Sequence, residues 1–547
     1  MIVARSRRRL LVLSAFLAAW AIFVFARLFQ IQILRHDHYV MRAAKQQERT
    51  VTLTPVRGSV RDVRGRVLAE SVVSVSIYAD PQAIDDPRAV ARTLASIREL
   101  DLDAKALERK LRRRGEFAWV ARQLHPEVAA RVKALGLNGI HSLEEHRRSY
   151  PKGMLAANIL GYVGIDGEGL AGIEHSVDGY VRGRPAKVTL LRDAHRGVYL
   201  VGAGKSSATN GHHVVLTIDQ VIQFIAERAL RSVVHRYRAN SGSVVVMDPS
   251  SGAVLALASY PTFDPNRYRD FPPSAWRNRP VQDLYEPGST FKIVAAAGGL
   301  EEGIVTPSQI VDCGMGSIEI GNFRIREHGG HQFGLLAFED VMAHSSNVGI
   351  IRVGLQLGPR RFYQYMRKFG FGERTGIDLP GEAVGTVRRV EKWSALSNAT
   401  LSIGQELNAT PVQVLQAFCA IANGGMRVDP RVVDRVVDEG GETVFTPDRK
   451  TAERVISERS AAILNEILKA VVARGTGRNA ALPDHVVAGK TGTAQKAVRG
   501  GYSNDKVVAS FAGYVPADRP RLAILIVVDE PKGAQYGGVI AAPVFRE

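Results

Sequence analysis

The chain has 547 residues, a formal net charge of +18, 45% hydrophobic and 23% charged residues, and two cysteines, Cys313 and Cys419. That length predicts two or three domains, the composition permits a large buried core, and the charge predicts a polyanionic neighbour such as an anionic membrane surface or an acidic polymer. Nucleic acid is not expected, since there is neither a zinc-finger spacing nor an aromatic–basic RNA-binding pattern; the cysteines make no metal-ligand pattern or disulfide framework and read as two free thiols.

In chain order, Arg5, Arg7, Arg8 and Arg9 precede an uncharged run from Leu10 to Ala26, and Arg27 is followed by Leu28, Phe29, Ile31 and Ile33. The run is at the short end for a membrane-spanning helix, and Arg27 can snorkel to an interface. Arginines before the run place the N-terminus in the cytoplasm. No Ala-x-Ala-like cleavage site follows, so the expectation is a retained anchor over residues 10–30 with a cytoplasmic tail at 1–9.

Residues 31–210 read as a mixed, basic, extracytoplasmic region. The stretch VRGSVRDVRGRVLAES (56–71) predicts a hairpin with its turn at Arg64-Gly65. Segment 86–135 has a helical period, with Leu100, Leu102, Leu107 and Leu111 among basic residues, and reads as solvated helices. Residues 161–183 are glycine-rich and predict a loop entering a short helix. They lack the Gly-Lys-Ser/Thr ending of a phosphate loop.

From 211 to 547 the texture changes. HHVVLTID predicts a strand leading into the helix QVIQFIAERALRSVVHRY. The stretch SGSVVVMDPSSGAVLALASY predicts a hairpin around Pro-Ser-Ser-Gly. A largely helical region follows over 286–425, and strands return at 485–496, 506–515 and 521–531. Strands at both ends with helices between them predict an α+β domain, an antiparallel sheet flanked by helices.

Three short stretches carry chemistry. In EPGSTFKIV, Ser289 falls in the first turn of an apolar helix and Lys292 lies on the same face, so its amine can reach the serine hydroxyl. Desolvation lowers a lysine pKa, which would make Lys292 a base for Ser289, and the helix N-terminus offers donors to an oxyanion. In AHSSNVGII, Ser345 can relay a proton and Asn347 can orient an amide, with Ser346 between them. In AGKTGTAQ, Gly492 would let a substrate backbone approach a strand, while Lys490, Thr491 and Thr493 face one cleft and can hold a carboxylate. His328 and His331 are loop histidines without a further ligand run, so no metal is expected.

These stretches, in this order, resemble the Ser-x-x-Lys, Ser-Asp-Asn and Lys-Thr-Gly signature of serine β-lactamases and penicillin-binding proteins, with Ser346 at the aspartate position. The spacings exceed those of a compact β-lactamase and resemble a high-molecular-weight class B penicillin-binding protein, a monofunctional cell-wall transpeptidase. Residues Arg57, Gly58, Asp62 and Gly65 match its first pedestal motif, with Val63 and Arg64 departing from it. RSYP (148–151), GLAGIE (169–174), FGFGERTGIDLPGE and YGGVIAAPVF are also similar. No glycosyltransferase domain is recognisable before 211, unlike the bifunctional class A type. Family members carry a long helix after the AAPVF position, so the ending at Phe545-Arg546-Glu547 is read as a shortened helix or a truncated sequence.

The resemblance implies a single transmembrane helix, an elongated pedestal (dimerisation-like) domain over 31–210 and a transpeptidase domain over 211–547. It implies that Ser289 attacks the penultimate D-alanine carbonyl of a stem peptide with Lys292 as base. The backbone N–H groups of Ser289 and Thr493 would form the oxyanion hole. Ser345 would pass a proton to the departing D-alanine, Asn347 would orient the peptide, and Lys490, Thr491 and Thr493 would bind the terminal carboxylate. No cofactor is expected. The partners implied are stem peptides, β-lactams, a glycan polymerase of the SEDS family and other division or elongation membrane proteins. A division role is favoured over elongation by size and by the lack of large insertions. The alternatives are a D,D-carboxypeptidase, an elongation-type transpeptidase, and a non-catalytic β-lactam sensor or scaffold.

Overall fold

The computed structural model describes residues 2–53, 55–115, 117–192, 198–200, 209–448, 452–498 and 501–547. Its first helix, α1 (Ile2–Phe29), extends the expected anchor in both directions and runs on through a π turn, Gln30–Leu34. Arginine and leucine are both good helix formers, so the basic flank continues the apolar helix. Leu10, Phe16, Trp20 and Phe25 are all more than half exposed. Within Ser6–Leu34 an 18-residue window is strongly apolar and none of that window is buried, the length and character of a helix that crosses a membrane.

The chain divides into two compact units. One joins 1–55 with 183–210 and the other joins 56–182 with 211–547. In the first, α1 is followed by a helix, His36–Gln47, and by an antiparallel sheet of Glu48–Leu53, Ala186–Arg192 and Val198–Leu200. Parts of the expected pedestal, 193–197 and 201–208, lie outside the described residues.

The second unit begins with the expected hairpin: β1 (Val60–Arg61) and β2 (Val67–Ala79) pair antiparallel. Asp62 is fully buried and its carboxylate accepts from the backbone N–H groups of Arg64 (3.0 Å) and Arg66 (2.8 Å), closing the turn. Arg64, which departs from the family pattern, donates to Asp219 (2.9 Å). Two longer partners flank β2: β3 (Ala118–Leu124) and β4 (Ile140–Ser149). Helices Pro87–Ala95, Ala104–Leu111 and Pro126–Ala134 cover one face of this sheet through Leu94, Leu107, Leu111 and Val132. The purely helical reading of 86–135 therefore needs correcting, because β3 interrupts it. Trp119 and Val120 suit a strand, and their pairing with β2 outweighs the helical period around them.

Three pedestal motifs meet at one buried carboxylate. Glu174, fully buried, accepts from Arg57 Nε (2.8 Å) and Arg148 Nε (2.6 Å). Arg57 also pairs with Asp178. Removing one partner of such a network strands a buried charge, which is strongly destabilising. The sheet continues through β5 (His213–Leu216), parallel to β1, so the chain on either side of the sequence division at 210/211 shares one sheet.

A five-stranded sheet has the order β7-β6-β10-β9-β8 and is antiparallel throughout, formed by β6 (Ser241–Met247), β7 (Val254–Tyr260), β8 (Ala488–Val498), β9 (Gly501–Val515) and β10 (Leu522–Asp529). Alternate residues of β6 serve two cores. Val245 and Met247 join the one that holds the helix α3 (Lys292–Glu301), and Val244 and Val246 meet α2 (Gln220–Arg236). The expected helical stretch 286–425 also carries short strands, Ile310–Asp312 with Leu335–Ala337 and Ser317–Ile320 with Phe323–Arg326. Cys313 and Cys419 are both buried and unbridged. After β10, short helices Gly537–Ile540 and Ala542–Arg546 end with Phe545 packed edge-on to Phe511 at 5.1 Å.

Candidate active site

Ser289 sits in a tight turn, Gly288–Phe291, that leads directly into α3. Gly288 has φ +57, and a Cβ there would press on Ala494 at 3.0 Å, so the turn needs glycine on both counts. Thr290 Oγ1 donates to Pro287 O (2.8 Å) and locks it. The turn lies beside β8, the edge strand, which leaves Ser289 on the wall of a cavity of about 340 Å³ together with Ser345, Asn347, Thr491 and Thr493. A larger cavity, about 480 Å³ around Arg279 and Glu286, is lined by none of Ser289, Lys292, Ser345, Asn347, Lys490, Thr491 and Thr493.

Lys292 is fully buried, as is nearly all of α3. Its Nζ donates to Ser345 O (2.6 Å), Asn347 Oδ1 (2.8 Å) and Ser345 Oγ (3.2 Å). The anticipated bond to Ser289 is therefore not made; the amine is committed to the second motif. Burial lowers its pKa to about 7, with Glu327 opposing the shift. Ser345 is in the left-handed region, φ +61, a conformation that strains a serine by about 1–2 kcal/mol and that is held here by its contacts with Lys292.

Ser346 opens the next helix, α4 (Asn347–Leu357), by accepting from Gly349 N (3.0 Å). Its hydroxyl donates to Glu327, whose carboxylate also accepts from Asn347 N (2.6 Å) and Val348 N (3.1 Å). No sequence signal marks Glu327, a single acid in a loop well before the motif; only the fold brings it there. His328 and His331 also line the cavity, and burial and Lys292 push the His328 pKa down.

Along β8 the side chains alternate. Thr491 and Thr493 line the cavity, Thr491 Oγ1 sharing a hydrogen bond with Thr476 Oγ1 (2.7 Å) and Thr493 Oγ1 accepting from Gly537 N (3.1 Å). Lys490 is not on the cavity wall; it is fully buried on the Lys292 side and donates to Thr491 O (3.3 Å). Burial and repulsion from Lys292 push its pKa well down. The expectation that Lys490 faces the cleft with the two hydroxyls thus gives way to strand alternation. At Gly492 a Cβ would lie 2.3 Å from Ser510 Oγ and 2.9 Å from Thr290, so its smallness lets β8 pack against the Ser289 turn.

This arrangement has the parts for acyl transfer through a serine ester. A hydroxyl stands at a helix start, a lysine near neutrality contacts a second hydroxyl, and further hydroxyls can receive an anion.

Residues 242–547 match the family model for the penicillin binding protein transpeptidase domain, and residues 52–216 match the model for the penicillin-binding protein dimerisation domain. The chain is 33% identical to stage V sporulation protein D of Bacillus subtilis over 98% of this chain and 84% of that one. It is 30% identical to the peptidoglycan D,D-transpeptidase FtsI of Escherichia coli K12, covering 96% and 87%. Among solved structures, penicillin binding protein 3 of Mycobacterium tuberculosis complexed with aztreonam superposes with a TM-score of 0.71 at 31% identity, covering 91% of this chain and 95% of that one.

Proposed function

This chain belongs to the class B penicillin-binding proteins, with a dimerisation domain ahead of a transpeptidase domain, and we propose that it cross-links peptidoglycan stem peptides through an acyl-enzyme on Ser289. One observation carries the reading: residues of three motifs scattered over some two hundred positions of sequence meet at one cavity, with a buried lysine of pKa about 7 behind them.

In this mechanism Ser289 Oγ attacks the penultimate D-alanine carbonyl as its proton passes to Lys292, which first turns from Ser345 toward the nucleophile. Catalytic hydrogen bonds commonly tighten only when substrate is bound. The backbone N–H groups of Ser289 and Thr493 hold the oxyanion. The proton then moves from Lys292 through Ser345 to the departing D-alanine nitrogen, the C–N bond breaks, and the acyl group stays on Ser289. An amine from a neighbouring stem attacks next, restoring the serine hydroxyl and forming the cross-link. Asn347 orients the peptide, and Thr491 and Thr493 receive the terminal carboxylate, with Lys490 acting from behind the strand. A β-lactam enters by the same first step. The test is product analysis with a donor stem peptide and an amine acceptor. Cross-linked dimer is expected to exceed the hydrolysed donor; hydrolysis alone would make the protein a carboxypeptidase.

We further infer a cytoplasmic tail at 1–9, an anchor at 10–30, a pedestal at 31–210 and a catalytic domain at 211–547, on the outer side of the plasma membrane. The relatives FtsI and stage V sporulation protein D favour a division-type role. The partner proposed is a multi-span glycan polymerase of the SEDS family, recruited through α1 and the pedestal, because a single exposed apolar helix recognises other helices by surface packing. Replacing residues 10–30 with an unrelated spanning helix is expected to leave penicillin labelling intact and to weaken co-purification with that polymerase. Unchanged co-purification would move the contact to the pedestal.

A further inference from the structure

We infer that Glu327 is a positioning residue of this acyl-transfer site: its carboxylate fixes the Ser345–Asn347 turn around the Lys292 amine and supplies the negative charge that faces it. The inference rests on the reading of Ser289 and Lys292 given above and adds a residue outside the three motifs.

Glu327 ends the hairpin of Ser317–Ile320 and Phe323–Arg326 and is only 5% exposed. Three donors converge on it. Ser346 Oγ and Val348 N (3.1 Å) reach one oxygen, and Asn347 N (2.6 Å) reaches the other. Among the described residues, no lysine or arginine comes within ion-pair distance of it; its charge is met by the N-terminus of α4 and, through space, by Lys292. The same hairpin grips the motif a second time, since Asn347 Nδ2 donates to Arg326 O (3.0 Å). Lys292 in turn donates to Ser345 and Asn347, the residues on either side of Ser346. The turn is thus clamped between a buried acid on one side and a buried amine on the other, and the strained φ of Ser345 is held between them.

The clamp depends on ionised oxygens, because all three incoming groups are donors. A glutamine would offer one oxygen and one NH₂, and the NH₂ would meet an N–H donor. The electrostatics add an independent signature. Lys292 is faced by Glu327, by Lys490 from β8 and by His328 when protonated. Removing the Glu327 charge leaves only repulsive neighbours, so Lys292 should lose its proton at lower pH.

The test is β-lactam acylation of the full-length protein across pH for Glu327→Gln and Glu327→Asp. Glu327→Gln is expected to lower the plateau rate about tenfold, the scale of one charge-assisted hydrogen bond. It should also move the rising limb to lower pH by roughly half a unit or more. Glu327→Asp keeps the charge but shortens the reach, so its midpoint should stay at the wild-type pH while its plateau falls. A glutamine variant with a lower plateau and an unmoved midpoint would reduce Glu327 to a helix cap and overturn the charge role. An aspartate variant with the wild-type plateau would overturn the positioning role, and this variant serves alone if glutamine prevents folding. Failure of the wild type to acylate at Ser289 would instead sink the underlying reading before Glu327 is tested.

Discussion

Ser289→Ala is expected to abolish covalent labelling by fluorescent penicillin while leaving the melting temperature nearly unchanged. Two hydroxyls compete for the role of nucleophile, and the resting geometry favours the wrong one: Ser345 Oγ is 3.2 Å from the Lys292 amine, and Ser289 is not bonded to it. The helix start decides in favour of Ser289. Its turn projects the hydroxyl into the cavity at the N-terminus of α3, where backbone N–H groups can receive a developing oxyanion. Ser345, in its left-handed conformation, is held by Lys292, and the proposed mechanism uses it as a relay. The Ser289 hydroxyl has no hydrogen-bond partner among the described residues, so its loss should change stability by no more than about 0.5 kcal/mol. Mass spectrometry of the labelled peptide locates the adduct. Undiminished labelling of the Ala variant, with the adduct on residues 344–350, would transfer the nucleophile to Ser345.

The parts of this site that sequence reveals are those governed by local rules. Pro-Gly before an apolar run marks the α3 start, the return of strands at 485–496 marks β8, and the order of the motifs points to acyl transfer. Side-chain destinations follow longer-range packing. The i, i+3 spacing puts Lys292 on the same helix face as Ser289, yet α4 packs close enough to take the amine. Strand alternation could have placed Lys490 opposite Thr491, but which face met the cavity depended on where the Ser289 turn docks, and Gly492 is small to admit that docking. Glu327 was invisible because its partners are created by the folding of α4. The same logic explains the pedestal: Arg57, Arg148 and Glu174 stand in three separate motifs, and only the fold shows that they are one charge network.

Lys292→Arg is expected to acylate Ser289 at least ~100-fold more slowly than wild type, the lower end of general-base effects. A base must spend part of its time neutral. Burial gives Lys292 that ability, lowering its pKa from the ordinary lysine range to about 7. A guanidinium stays protonated in proteins, so arginine keeps the charge and the donors but cannot take the Ser289 proton. The sign of the pH dependence follows. Below about pH 7 wild-type Lys292 is mostly an ammonium, its three N–H groups donating to Ser345 and Asn347, and acylation should be slow. As pH rises through about 7 the neutral amine accumulates and is free to accept a proton, so the rate should climb with a single ionisation and then level off. The Arg variant should show no such limb. Stopped-flow acylation of both proteins from pH 5 to 9, with non-covalent penicillin affinity measured in parallel, separates chemistry from binding. If Lys292 only supplies positive charge to the oxyanion, arginine will acylate within a few-fold of wild type and the wild-type rate will fall, not rise, as pH passes 7. Either result would leave Lys292 an electrostatic residue and require another base for Ser289.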